Sequence, residues 1–234
     1  ATVGWMIALG HRMINKDQLV RKGLWYQSSQ YMGCELRDKV LGVVGLGGIG
    51  KAVIELLKGF GMKKTLVYDP FIDENKAKEL NVNKVELDEL MQQSDFITVH
   101  CPLNEHTRDL ISYRELDLMK TSSFIINTAR GGIINEDALF KVLSKKLIAG
   151  AALDCFNNEP IVKPHRFGEL ENVMLAPHSI AWTQELFRDM GKICSKNMID
   201  ISNGIRPYGV VNPEVFDRPS FQKKWDNLIV NKIK

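Results

Sequence analysis

Short apolar runs recur along the chain at lengths suited to strands buried on both faces of a parallel sheet: Val40–Val44, 65–68, 96–100, 123–128, 148–156 and Val173–Leu175, with a shorter one at 84–86. Between them the rhythm becomes helical. Residues 51–60 set Val53, Ile54, Leu56, Leu57 and Phe60 toward a sheet, and 75–80, Leu87–Gln93 and 110–119 form short helices. Asn135 caps a further helix carrying Ala138, Leu139, Val142 and Leu143. Strands alternating with helices through short connections predict an α/β fold built on a doubly wound parallel sheet. At the front, Val3, Met6, Ile7, Met13 and Ile14 lie on one stripe, so 1–15 reads as an amphipathic helix. Residues 16–37 read as an irregular connection, in which Trp25 either anchors a subunit contact or covers an apolar surface. A long helix runs from 182 to about 202 with Phe187, Met190, Ile193 and Ile199 inward, followed by an extended tail and a final helix.

The junction after the first strand gives this pattern a chemistry. Gly45, Gly47 and Gly50 stand at G-x-G-x-x-G spacing between strand and helix, and the second strand ends at Asp69. The glycines serve a tight turn, a close approach of pyrophosphate and helix–strand packing, while the acid takes ribose hydroxyls. A free helix N-terminus favours the anion. Strand, helix, second strand and acid all in place predict a Rossmann-type dinucleotide site with helices on both sheet faces. Asp69 would repel a 2′-phosphate, so the cofactor reads as NAD.

Composition narrows the class. A formal charge of +3 from 31 basic and 28 acidic side chains, with no basic stretch interleaved with aromatics, argues against nucleic acid. The apolar runs are too short for a membrane span, and no signal peptide is visible. Cys34, Cys101, Cys155 and Cys194 lie far apart without metal-ligand spacing, which points to reduced thiols in a cytoplasmic protein and to no metal.

Ligands of such sheets sit at the carboxyl ends of the strands. Three polar residues fall just past strand ends there: Arg130, Glu159 and His178. A lone arginine would read as a surface ion pair, but beside a nicotinamide site its fork suits a substrate carboxylate and a polarised carbonyl. His178 alone reads as a strand cap, and Glu159 alone as a solvated loop carboxylate. Together they suggest that Glu159 holds and charges His178, which donates a proton to a substrate oxygen.

The motifs Gly45–Gly50, Val67-Tyr-Asp-Pro70, His100-Cys-Pro-Leu103 with Thr107, Asn127-Thr-Ala-Arg-Gly-Gly132, Ala151–Phe156 with Glu159-Pro160, and Ala176-Pro-His178 stand in one order. In this the chain resembles the NAD-binding half of the D-isomer-specific 2-hydroxyacid dehydrogenases, which include phosphoglycerate dehydrogenase and glyoxylate/hydroxypyruvate reductase. The resemblance implies that Arg130 binds substrate carboxylate and carbonyl, that His178 is the acid/base, and that Glu159 tunes it. It places cofactor contacts on Gly45, Gly47, Gly48, Ile49, Gly50, Asp69, Cys101, Pro102, Thr107, Thr128, Ala129 and Asp154, the last near the nicotinamide amide. It also implies a small 2-hydroxy or 2-oxo acid as substrate and a homodimer.

The chain departs from the family at two places. Nothing corresponds to the leading substrate-domain segment, so residues 1–181 are expected to form the NAD-binding domain with its linker helix, and 182–234 part of an incomplete substrate domain. Such a chain should bind NAD(H) and turn over poorly, because half of the orienting cleft is missing. After the histidine, Ser-Ile-Ala-Trp-Thr replaces smaller residues, and Trp182 either narrows the pocket or packs on the tail. The rival readings are an NAD-sensing interaction protein without catalysis, which has no need of all three of Arg130, Glu159 and His178, and the cofactor half of an adenosylhomocysteinase-like enzyme, which the Asn-Thr-Ala-Arg-Gly and Pro-His signatures disfavour.

Overall fold

Seven strands, all parallel, form one sheet: β1 (Val40–Val44), β2 (Lys64–Tyr68), β3 (Asn83–Lys84), β4 (Phe96–Val99), β5 (Phe124–Asn127), β6 (Gly150–Leu153) and β7 (Val173–Leu175). Their order is β3-β2-β1-β4-β5-β6-β7, so the chain reverses direction across the sheet between β1 and β4. The structure, a computed structural model, describes residues 1–230. Helices α1 (Thr2–Gly10), α2 (Met13–Arg21), α3 (Gly48–Leu57), α4 (Glu74–Glu79), α5 (Leu87–Gln93), α6 (Tyr113–Asp117), α7 (Glu136–Ser144), α8 (Gln184–Ser202) and α9 (Pro219–Val230) complete the chain. It divides into two compact units, Ala1–Ile180 and Ala181–Lys234.

Period-2 alternation sends the strand side chains of the first unit to two separate cores. Val40, Val44, Ile97, Val99, Ile125, Ala151 and Leu153 pack on one face with Leu90 and Met91 of α5, Leu116 of α6 and the α7 stripe Ala138, Leu139, Val142 and Leu143. Leu41, Val43, Phe96, Phe124, Ile126 and Ala152 pack on the other with Trp5, Met6 and Leu9 of α1, Val53 and Leu57 of α3, and Ala77 of α4. Each α7 residue in that stripe is at most 2 % exposed, so truncating any of them opens a cavity. Asn135 caps α7 by accepting from Ala138 N–H at 3.0 Å.

Three expectations need correction. The front is not one helix over 1–15. Arg12 takes a left-handed conformation (φ 55°) and breaks it into α1 and α2, and the buried stripe is Thr2, Trp5, Met6 and Leu9 rather than one running through Met13 and Ile14, which are exposed. The stretch read as irregular therefore contains most of α2 and a 3-10 turn, Trp25–Tyr31, on which Trp25 is exposed. Leu56 of α3 and Phe60 of the 3-10 turn that follows it (Lys58–Phe60) face solvent, because the Gly50, Val53, Leu57 row, with Ile54 half-buried beside it, is the one that meets the sheet. In the second unit, Phe187, Met190, Ile193 and Ile199 of α8 are exposed, not inward. That unit buries instead Phe216, packed edge-on against Phe221 and Trp225.

Candidate active site

At the reversal between β1 and β4 the loops leaving the two strands touch. Gly45 has φ 94°, and a Cβ there would stand 2.6 Å from Cys101 N, so both the turn and the close approach require glycine. Gly47 and Gly48 differ: added Cβ atoms would meet nothing within 4 Å. They open onto the start of α3, whose N-cap has no side-chain hydrogen bond, so its first amides remain available to an anion. Ile49 beside them is exposed. Asp69 closes the second strand and accepts Leu46 N–H at 2.7 Å and Phe71 N–H at 2.9 Å, which leaves acceptor capacity for ribose hydroxyls. An open glycine cradle, free helix amides and a carboxylate at the next strand end fit NAD. Thr107 Oγ1 donates to Pro102 carbonyl at 2.6 Å and shapes the β4 side of the cleft. Burial raises the Cys101 thiol to about 11, which makes it a poor nucleophile.

His100, between Thr98 and Cys101, lies within 2.9 Å of Thr98 Oγ1. Burial depresses its pKa from 6.5 to about 4. A depressed histidine gives no penalty above 6.5, and stability is lost as pH falls from 6.5 toward 4, at about 1.4 kcal/mol per pH unit and about 3 kcal/mol in all. His100→Asn is therefore expected to flatten the acid limb of stability. Urea denaturation at pH 7 and near pH 4.5 checks this, and parallel losses in both proteins would refute it.

The second half of the cleft hangs on Asn127, the buried last residue of β5. Its side chain accepts Ala129 N–H at 3.0 Å and donates to Arg130 carbonyl at 2.8 Å, folding Thr128, Ala129 and Arg130 into a fixed turn. Thr128 Oγ1 stands 3.3 Å from Thr2 Oγ1 of α1, and the exposed Arg130 guanidinium donates to Ala129 carbonyl at 2.6 Å. A Cβ on Gly131 would overlap Phe156 carbonyl, so this turn lies directly against the loop after β6. That loop is where the expected strand 148–156 stops short. From Asp154 onward its groups serve the site.

Glu159 Oε1 accepts Phe156 N–H at 2.7 Å, and Oε2 lies 2.6 Å from His178 Nδ1. Partial burial raises the carboxyl, but the His178 hydrogen bond, the Phe156 amide and the charges of His178 and Arg130 outweigh it and hold it below the usual range. His178 itself sits at φ 54°, a left-handed backbone unusual outside glycine. The buried Asp154 stabilises that turn, with Oδ1 accepting Ser179 N–H at 2.9 Å and Ile180 N–H at 3.2 Å. Its oxygens thus face the chain's own amides. Glu136 at the start of α7 accepts Asn157 N–H at 2.6 Å and fixes the same loop from behind.

The expected acid, base and arginine are thus gathered at one sheet edge, with the glycine turn at the same edge. Asn127, Glu136 and Thr2 had no assigned role in the sequence. An asparagine closing an apolar strand three residues before the arginine is an Asx-turn signal that would have found the first. Nothing local marks the other two. Among the described residues no helix is long and apolar enough to cross a membrane, and no cluster of His, Cys, Asp and Glu is arranged to hold a metal.

Residues 3–179 match the family of the D-isomer-specific 2-hydroxyacid dehydrogenase NAD-binding domain. A glyoxylate reductase of Korarchaeum cryptofilum is 38 % identical over 93 % of this chain and 67 % of its own length. A D-3-phosphoglycerate dehydrogenase of Synechocystis sp. is 38 % identical over 91 % of this chain and 39 % of its own. Among solved structures, a D-lactate dehydrogenase with NAD+ from Lactobacillus jensenii superposes with TM-score 0.80 at 27 % identity, covering 90 % of this chain and 66 % of the other. The chain spans about two thirds of the length of the glyoxylate reductases it matches.

Proposed function

The chain belongs to the D-isomer-specific 2-hydroxyacid dehydrogenases, and from that premise we propose that the protein transfers a hydride between NAD(H) and C2 of a small 2-hydroxy or 2-oxo acid. One contact carries the reading: the Glu159–His178 pair at 2.6 Å, on the sheet edge that also presents the Arg130 turn and the glycine cradle. NAD, when bound, supplies the hydride chemistry. Gly45, Gly47, Gly48, Ile49 and Gly50 would hold its pyrophosphate, and Asp69 its ribose, with Cys101, Pro102, Thr107, Thr128 and Ala129 along the cleft. Arg130 orients the acid by its carboxylate and polarises the carbonyl oxygen. Glu159 fixes Nδ1 of His178, which leaves Nε2 to give a proton to that oxygen in reduction and take it back in oxidation. Asp154 holds the turn on which His178 stands. The family's habits support a cytoplasmic homodimer.

The test is NADH oxidation by the full-length protein against a panel including glyoxylate and hydroxypyruvate, with NADPH in parallel. The parallel arm matters because one similar structure, an acyclic imino acid reductase, is a complex with NADPH. No turnover with any small 2-oxo acid would refute the proposal. A second expectation isolates the cradle. Gly47 has φ −73° and open space beyond it, so Gly47→Ala should leave Tm unchanged. The methyl would occupy the space reserved for pyrophosphate, so NAD+ affinity should fall by about tenfold or more, read by fluorescence titration. Unchanged NAD+ affinity would place the cofactor elsewhere.

A further inference from the structure

We propose that the opposite edge of the sheet carries a second ligand site, one for a small phosphate monoester. A cavity of about 400 Å³ opens there, lined by residues that precede strands rather than follow them: Lys39 before β1, Asp95 before β4, Thr121 and Ser122 before β5, and Glu171 before β7. It lies the length of a strand, about 15–20 Å, from the glycine turn, and its volume falls within the range of small-molecule sites, roughly 300–1,000 Å³.

Charge selects the ligand. Both carboxylates in the lining are already neutralised. Asp95 accepts Val40 N–H and pairs with Lys120 at 2.8 Å, while Glu171 pairs with Lys146 at 2.8 Å and accepts Tyr31 hydroxyl at 3.2 Å. Arg12 and Lys39 remain. Among the described residues neither has a carboxylate within ion-pair distance, and the Lys39 ammonium has no hydrogen-bond partner. Arg12 is held in place, Nη1 donating to Ala149 carbonyl at 2.8 Å and the guanidinium lying over the Phe124 ring, so the rest of its fork is preorganised. The C-termini of α1, which ends at Gly10 in the lining, and of α5 and α7 lie toward this edge and bring about half a negative charge each, about one and a half in all, which two full cations exceed. A fork, a point charge and the Thr121 and Ser122 hydroxyls can together engage three terminal oxygens of a dianion. A lone carboxylate would leave Lys39 unused.

Calorimetry on the protein saturated with NAD+ tests this, with glycerol 3-phosphate and inorganic phosphate as probes. Glycerol 3-phosphate lacks a carboxylate, so the Arg130 site does not compete for it. The expected result is saturable binding of glycerol 3-phosphate that Lys39→Ala weakens about tenfold, the loss of about 1.4 kcal/mol from one charge-assisted contact, with NAD+ affinity and Tm unchanged. Arg12→Gln should weaken it further. Absence of saturable heat at about 10 mM probe, binding by Lys39→Ala equal to wild type, or binding seen only without NAD+ would each overturn the proposal. The last would put the phosphate in the glycine cradle.

Discussion

His178→Gln is expected to lower kcat for 2-oxo acid reduction by about a thousandfold, within the range of roughly 100 to 10,000 for a positioned general acid, while NAD+ binding stays as in wild type. Glutamine keeps the size and polarity of the side chain, so the Asp154-held turn survives, but it has no proton to give near neutral pH. Glu159→Gln should cost less, because His178 remains, yet it should change the pH profile of kcat. The sign follows from the carboxyl's depressed pKa. The contribution of the ionised Glu159 carboxylate is present above its ordinary value of 4.5 and is lost as pH falls through the lower folded value. Wild type should therefore keep the pair through pH 5, whereas Glu159→Gln lacks it at every pH. Equal kcat for His178→Gln and wild type would remove the acid/base assignment. A pH profile unmoved by Glu159→Gln would remove the glutamate's part in it. NAD+ titration of the same samples separates either result from misfolding.

Much of this arrangement was legible because it depends on local rules. Each apolar run of strand length became a strand, and the α7 stripe from Ala138 to Leu143 faces the sheet as its spacing requires. The glycine spacing worked for the same reason: turn, cradle and packing are obligations of single positions. What sequence reading missed is non-local. The break at Arg12 comes just after Gly10, a stop signal outweighed in the reading by the apolar stripe that runs on to Met13 and Ile14, and the Arg12 side chain finds its partners, Ala149 and Phe124, more than a hundred positions away. The resemblance placed Asp154 near the nicotinamide amide, and no motif announces that its carboxylate also accepts Ser179 and Ile180 N–H from across the site. The α8 stripe shows the converse. Periodicity says which residues share a face, but not whether anything covers it, and Phe187 and Ile199 remain exposed. The cavity at the far edge was beyond any motif, since its lining comes from the starts of several strands.

The largest loss of stability is expected from a change smaller than any of these, Gly131→Ala. Its Cβ would overlap the Phe156 carbonyl group and stand 2.7 Å from Asn157 N, backbone atoms in every case. Neither side can give way cheaply. The Arg130 turn is tied by both ends of the Asn127 amide, and the facing loop by Glu159 at Phe156 N–H and Glu136 at Asn157 N–H. Overpacking a core typically costs about 1–3 kcal/mol by moving side chains. Here main chain must move against several hydrogen bonds, so about 3 kcal/mol or more is expected, which for a chain of this size lowers Tm by roughly 6–12 °C. The displaced loop carries Glu159, so kcat should fall as well, even at temperatures where the variant is folded. Gly168→Ala is the control, since a Cβ there meets nothing within 4 Å. A Gly131→Ala protein that melts within about 2 °C of wild type would mean that the two loops do not touch as described, and the convergence of Arg130 with Glu159 and His178 would lose its structural basis.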